Sequence, residues 1–198
     1  MGKLLNAFGI VLFAVQTSNA LAEHDQRELN ALLKGKFRFA FNQTCTYSPQ
    51  GFSAAPPGGD VNGFAQTGED YIDGIIKFHG NGTVTLTETG IFQNHGFSNP
   101  GFFPIATYQD ICDGTYQVKG DLSFSYELAC TVNFLTGFNV LVPKTLSIAG
   151  IKTQGQLDRS GESFIGSNVS GVVQTMNFSD GSTNFRVCGF HINGVKMP

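Results

Sequence analysis

The sequence predicts an all-β protein, a single antiparallel up-and-down β-barrel of about eight to ten strands with a short N-terminal helix. Three observations carry this. Apolar and polar residues alternate over long runs, the pattern of a strand with one buried face. Turn signals rich in Gly, Asp and Asn separate those runs at hairpin spacing. The composition, 19 Phe and 25 Gly with no Trp in 198 residues, describes aromatic strands joined by tight turns. A barrel closes that many strands without leaving an exposed edge.

The chain divides into three parts. Residues 1–22 carry a single positive charge at Lys3, an apolar run from Leu4 to Val15 and a small-x-small ending at Ala20-Leu21-Ala22. That is the pattern of a secretory signal peptide, with cleavage expected before Glu23. The apolar run is short of the ~20 residues of a membrane span, so no membrane anchor is expected after cleavage. The expected destination is secreted or periplasmic. Residues 23–35 read as the helix, with Leu29, Leu32 and Leu33 on one side and Gly35 as its stop. Residues 36–198 are the barrel.

The strands follow in order. KFRFAFNQTCTY puts Phe37, Phe39, Phe41, Gln43 and Cys45 on one face. IIKFHGNGTVTLTE is a hairpin about Gly80-Asn81-Gly82, with Ile76 opposite Leu86 and Phe78 opposite Val84. CDGTYQVKGDLSFSYELAC turns about Asp121, which sets Val118 against Phe124, Tyr116 against Tyr126 and Cys112 against Cys130. All six side chains then share the apolar face, and in an oxidising compartment the two thiols are expected to bond. NVLVPKTLSIAG is a further strand. TQGQLDRSGESFIGSNVS is a hairpin about Arg159-Ser160-Gly161, and VVQTMNFSDGSTNFRVCGFHI one about Asp180-Gly181.

In a closed barrel the first and last strands are neighbours, which brings Cys45 toward Cys188. A two-residue turn at Asp180-Gly181 opposes that pairing. It points Phe185 and Val187 inward and Cys188 outward, so a bulge at Gly189 or a loop position for Cys45 is needed. Four cysteines allow three connectivities, and only the bond from Cys112 to Cys130 follows from position.

Two connections exceed hairpin length. YSPQGFSAAPPGGDVNGFAQTGED carries Phe52 and Phe64, and FQNHGFSNPGFFP carries Phe92, Phe97, Phe102 and Phe103. Aromatic residues in long connections suit either a binding loop or burial over the barrel mouth. Tyr108, Tyr116 and Tyr126, on inward positions, are candidates to orient a polar ligand group.

Charge and motifs exclude several functions. Twelve Lys and Arg against 15 Asp and Glu give a net charge of −3, and no basic patch exists to hold nucleic-acid phosphates. G-x-S-x-G, P-loop, H-E-x-x-H and C-x-x-C motifs are absent. Cys188-Gly-Phe-His191 has zinc spacing but no second paired motif, so neither a metal nor another cofactor is expected. The sequence sets no oligomeric state. Parity places Glu88, Asp110 and Lys144 on inward positions. A carboxylate inside an apolar barrel has a raised pKa and suits general acid or base work; one at a strand end opens to water and does not.

Gly35-Lys36-Phe37, the long first connection, GIIKFHGNGTVT and DGTYQVKGD, in that order, resemble exported bacterial proteins with a lipocalin-like or allene-oxide-cyclase-like barrel. Phe37 stands where lipocalins have Trp, and no helix follows the last strand. The resemblance implies binding of a small hydrophobic or amphipathic molecule, with a cyclase or isomerase using Glu88 or Asp110 as the alternative. A third reading is a barrel filled by its own side chains, acting through its surface.

Overall fold

The computed structural model describes residues 25–53, 61–95, 105–136 and 145–198. The expected signal peptide lies outside them. Nine strands form one antiparallel sheet: β1 (Gly35–Ser48), β2 (Gln66–Phe78), β3 (Thr83–His95), β4 (Ile105–Val118), β5 (Ser123–Thr136), β6 (Thr145–Leu157), β7 (Ser163–Asn168), β8 (Gln174–Phe178) and β9 (Thr183–Lys196). Each strand pairs with the next in sequence as far as β7, and β1 pairs with β9, so the sheet closes into a barrel. β7 pairs with Thr153–Leu157 of β6 and β8 with Leu146–Ala149, while both pair with β9. Together they fill one position, an eighth staves broken at 169–173.

The registers follow from side-chain alternation. Ile76 lies opposite Leu86 and Phe78 opposite Val84. Cys112 lies opposite Cys130, Tyr116 opposite Tyr126 and Val118 opposite Phe124. On β1, Phe37, Phe39, Gln43 and Cys45 are buried and Phe41 is half-buried, all on the inner face. A slip of one residue anywhere here would turn the phenylalanines outward.

The last strand differs from the sequence expectation. Phe178 N–H bonds Ser182 C=O, so the connection is the three residues 179–181 rather than two. Asp180 Oδ1 accepts from Ser182 N–H at 2.8 Å, and Gly181 takes φ 86°, which favours glycine. The extra residue reverses the parity of all of β9. Arg186, Cys188, Phe190 and Ile192 point inward, whereas Phe185 and Val187 do not. Cys188 lies directly opposite Cys45 without a bulge at Gly189, and the two are bonded. Cys112 and Cys130 form the second bond. Two disulfides fit folding in an oxidising compartment.

A recurring device lets large rings turn inside a narrow barrel. Phe39, Tyr108, Phe124 and Phe164 each face a glycine on the neighbouring strand, Gly74, Gly90, Gly155 and Gly194. In each case a Cβ on the glycine would collide with the ring. The rings lie over bare backbone, as aromatic residues do when they cover a glycine across a strand pair.

One end is plugged. Phe37, Phe78, Phe124 and Phe164 pack edge to face, with centroids 5.4 to 6.3 Å apart. Below them a helix at residues 25–31 spans the opening. Asn30 Oδ1 accepts from Val118 N–H at 3.0 Å, Gln26 Nε2 donates to Val118 C=O at 3.0 Å, and Tyr116 Oη donates to Asn30 C=O at 2.7 Å. The helix stops before Leu32, so of the three leucines expected on one side Leu33 is fully buried and Leu32 is 46 % exposed. The strand ends Ser48, Gln66, His95, Ile105, Thr136 and Thr145 lie at the opposite end.

Candidate functional site

The barrel is filled at the helix end and hollow toward the other. A cavity of about 280 Å³ occupies the upper half, and its lining comes from β1 to β6, β8 and β9. Phe41, Leu86, Leu128, Val132, Ile148 and Phe190 supply apolar wall. Set into that wall is a polar cluster.

Gly90 builds one side of the cluster. Because it has no side chain, the Tyr108 ring lies over it and its hydroxyl donates to Asp70 Oδ1 at 3.0 Å. Gln43 Nε2 donates to the other Asp70 oxygen at 2.9 Å. Arg186 enters from β9, where register sets it beside Tyr47 of β1. Its Nε donates to Gln174 Oε1 of β8 at 2.7 Å, and the Tyr47 hydroxyl reaches both Arg186 and Asp70.

Glu88 and Asp110 stand directly opposite each other on β3 and β4. Like charges at such a position repel. Asp110 is 5 % exposed, and its Oδ1 receives no hydrogen bond from an amide, hydroxyl or guanidinium among the described residues. Burial pushes the Glu88 carboxyl well above the usual range, and proximity to Asp110 adds to the rise. Burial raises Asp110 to about 7, against the pull of Arg186 and of its hydrogen bond with Glu88. The two carboxyls therefore hold a proton between them near neutral pH. Asp70 is raised by burial in spite of Arg186. Burial also raises the Tyr108 hydroxyl, with the three carboxylates adding to the effect, so it stays protonated and donates.

No protein-family model, curated protein or solved structure matches this chain. What the site does has to be read from its own chemistry.

Of the residues the sequence singled out, Glu88, Phe92, Tyr108, Asp110 and Tyr126 line the cavity together. Tyr116 does not; its hydroxyl is held at the plugged end by Asn30 C=O and Gly80 N–H. Phe97, Phe102, Phe103 and Lys144 lie outside the described residues. Cys188 is bonded to Cys45 and His191 faces outward, so the Cys188-Gly-Phe-His191 spacing brings no ligand pair together.

Sequence reasoning missed Asp70, Gln174 and Arg186. The signal for Asp70 was present: stepping by two from Phe78 through Ile76, Gly74 and Ile72 arrives at Asp70 on the inner face. Gln174 was also legible, since it shares the buried face of Met176 on β8, whereas Arg186 depended on the length of the 179–181 turn and was hidden by its misreading.

Proposed function

We propose that the protein is an exported barrel that binds a small amphipathic molecule in the upper half of its interior. The observation that carries this reading is the hollow half itself, in which an apolar wall surrounds a few convergent polar groups, the usual make-up of a small-molecule site. A barrel of this size is readily filled by side chains, and the phenylalanines of the lower half do so. The upper half keeps space at the end away from the helix. The volume lies near the lower edge of the ~300–1,000 Å³ of small-molecule sites, which favours a compact ligand. Residues 1–22 as a cleaved signal peptide, together with the two disulfides, support a secreted or periplasmic location.

Native mass spectrometry on protein purified from its own exported fraction, repeated after denaturation, tests the reading. A discrete mass lost on denaturing is the expected result. A single unchanged mass, together with no uptake of added amphipaths, overturns it.

A second reading is favoured by the carboxyl pair. A group that exchanges its proton near neutral pH suits general acid or base work in a cyclisation or isomerisation. Glu88→Gln and Asp110→Asn separate the two readings once a ligand is known. Conversion of that ligand by the native protein, lost in both variants while binding persists, identifies an enzyme.

A further inference from the structure

The cavity holds more acid than base. Three carboxyl side chains line it, Asp70, Glu88 and Asp110, and one cation, Arg186; no lysine or histidine does so among the described residues. Arg186 is already engaged by Gln174 and by the Tyr47 and Asp70 side. Asp70 is likewise engaged, by Gln43 and Tyr108. Among the described residues Glu88 and Asp110 have no cation of their own, and Asp110 Oδ1 is buried in the cavity wall without a donor.

We propose that the ligand is an organic cation, an amine whose ammonium group seats between Glu88 and Asp110 and whose apolar body lies along the wall above them. This rests on the binding reading given above and names the ligand class for the same cavity. The apolar body has a defined path. Asp110 is paired with Val132, and Val132 with Leu146, so a continuous row of aliphatic side chains leads away from the carboxyls across β5 and β6.

Charge decides between head groups. An anionic head would meet three carboxyls and a single arginine, which already donates to Gln174 and contacts the Tyr47 hydroxyl. A neutral alcohol would satisfy Asp110 Oδ1 but leave the like-charge problem to be solved by a shared proton. An ammonium supplies the missing donors and the missing charge together, and hydrogen bonds between ionised partners in a low-dielectric site are the stronger kind. A metal ion is a poorer fit. No three His, Cys, Asp or Glu side chains converge among the described residues, whereas a calcium site takes ~6–8 oxygen ligands.

The binding step balances in protons. The ammonium arrives carrying its own, and the proton shared by Glu88 and Asp110 leaves to solvent, so the pair becomes ionised as the cation seats. Binding of an amine therefore releases a proton that binding of an alcohol does not.

The test compares n-octylamine, n-octanol and n-octanoate on the full exported chain by isothermal titration calorimetry, repeated in buffers of different ionisation enthalpy near neutral pH. The amine is expected to bind at least about tenfold tighter than either of the others, the difference a charge-assisted hydrogen bond makes, and to release up to about one proton on binding. In Glu88→Gln/Asp110→Asn, with folding checked by near-ultraviolet circular dichroism, the amine is expected to lose its advantage over octanol and the proton release. Equal or tighter binding of octanol or octanoate by the native protein overturns the amine assignment and leaves the binding reading standing. Failure of all three to bind a folded protein overturns the binding reading itself. The ranking in the native chain decides the matter even where the double variant fails to fold.

Discussion

Glu88 and Asp110 shape the acid-base behaviour of the whole barrel. Both carboxyls are raised above their ordinary values in the folded chain, Asp110 from 3.8 to about 7. Between those values the native state binds more protons than the unfolded chain, so stability falls as pH rises. The fall begins near the ordinary carboxyl range and continues through neutrality. Urea unfolding across that span is expected to show it, and Glu88→Gln/Asp110→Asn is expected to flatten most of the slope, leaving the share of Asp70, which is raised too. A double variant with the same slope as the native chain would place the titration elsewhere. Arg186 acts in the opposite sense. Arg186→Met leaves the buried Asp70 and Asp110 and the half-buried Glu88 without a cation among the described residues, at a cost of about 3 kcal/mol measured by the same unfolding at neutral pH, since stranding a buried charge costs far more than an exposed one.

Among the elements, the hairpin formed by β3 and β4 joins fold to site. The ring of Tyr108 reaches Asp70 only because Gly90 leaves room beneath it. Gly90→Ala is expected to destabilise the barrel by about 1–3 kcal/mol through overpacking. It is also expected to weaken ligand binding, because the ring must lift away from Asp70; unchanged unfolding would show that the strands move apart freely. The same elements show what could be read in advance. Registers of β2 with β3 and of β4 with β5 were legible because each hairpin has a strong turn signal and a long alternating apolar set on both sides, so one choice buries everything. β9 was not, because Asp180-Gly181 suits a two-residue or a three-residue turn equally well in sequence. The two give opposite faces, and Arg186 with them. β6 hides a similar shift: Leu146 and Ile148 line the cavity and so does Ile151, with Gly150 at φ 83° between them taking up the extra residue. Alternation locates strands well. It locates a charged residue inside one only when every turn before it has been counted correctly.

For the molecule as a whole, the two disulfides have unequal work. Cys112 and Cys130 bridge a hairpin with a separation of 18 residues, while Cys45 and Cys188 join the first and last strands across 143. In the loop-entropy account removal of the first costs about 3 kcal/mol and of the second about 5 kcal/mol. Comparison of Cys112→Ala/Cys130→Ala with Cys45→Ala/Cys188→Ala by denaturant unfolding is expected to give that order; the reverse order would mean that the strand pairing itself already restrains the ends in the unfolded chain.

The bond between Cys45 and Cys188 also turns most of the polypeptide into a covalent ring. A single backbone cut anywhere between those residues opens the ring without dividing it, as a cut bracelet remains one piece. Fragments from limited proteolysis are therefore expected to travel together on a non-reducing gel and to separate only when thiol is added. A barrel nicked at one of the connections away from the helix keeps every strand tethered to its neighbours in the sheet, so damage there need not release any part of the chain.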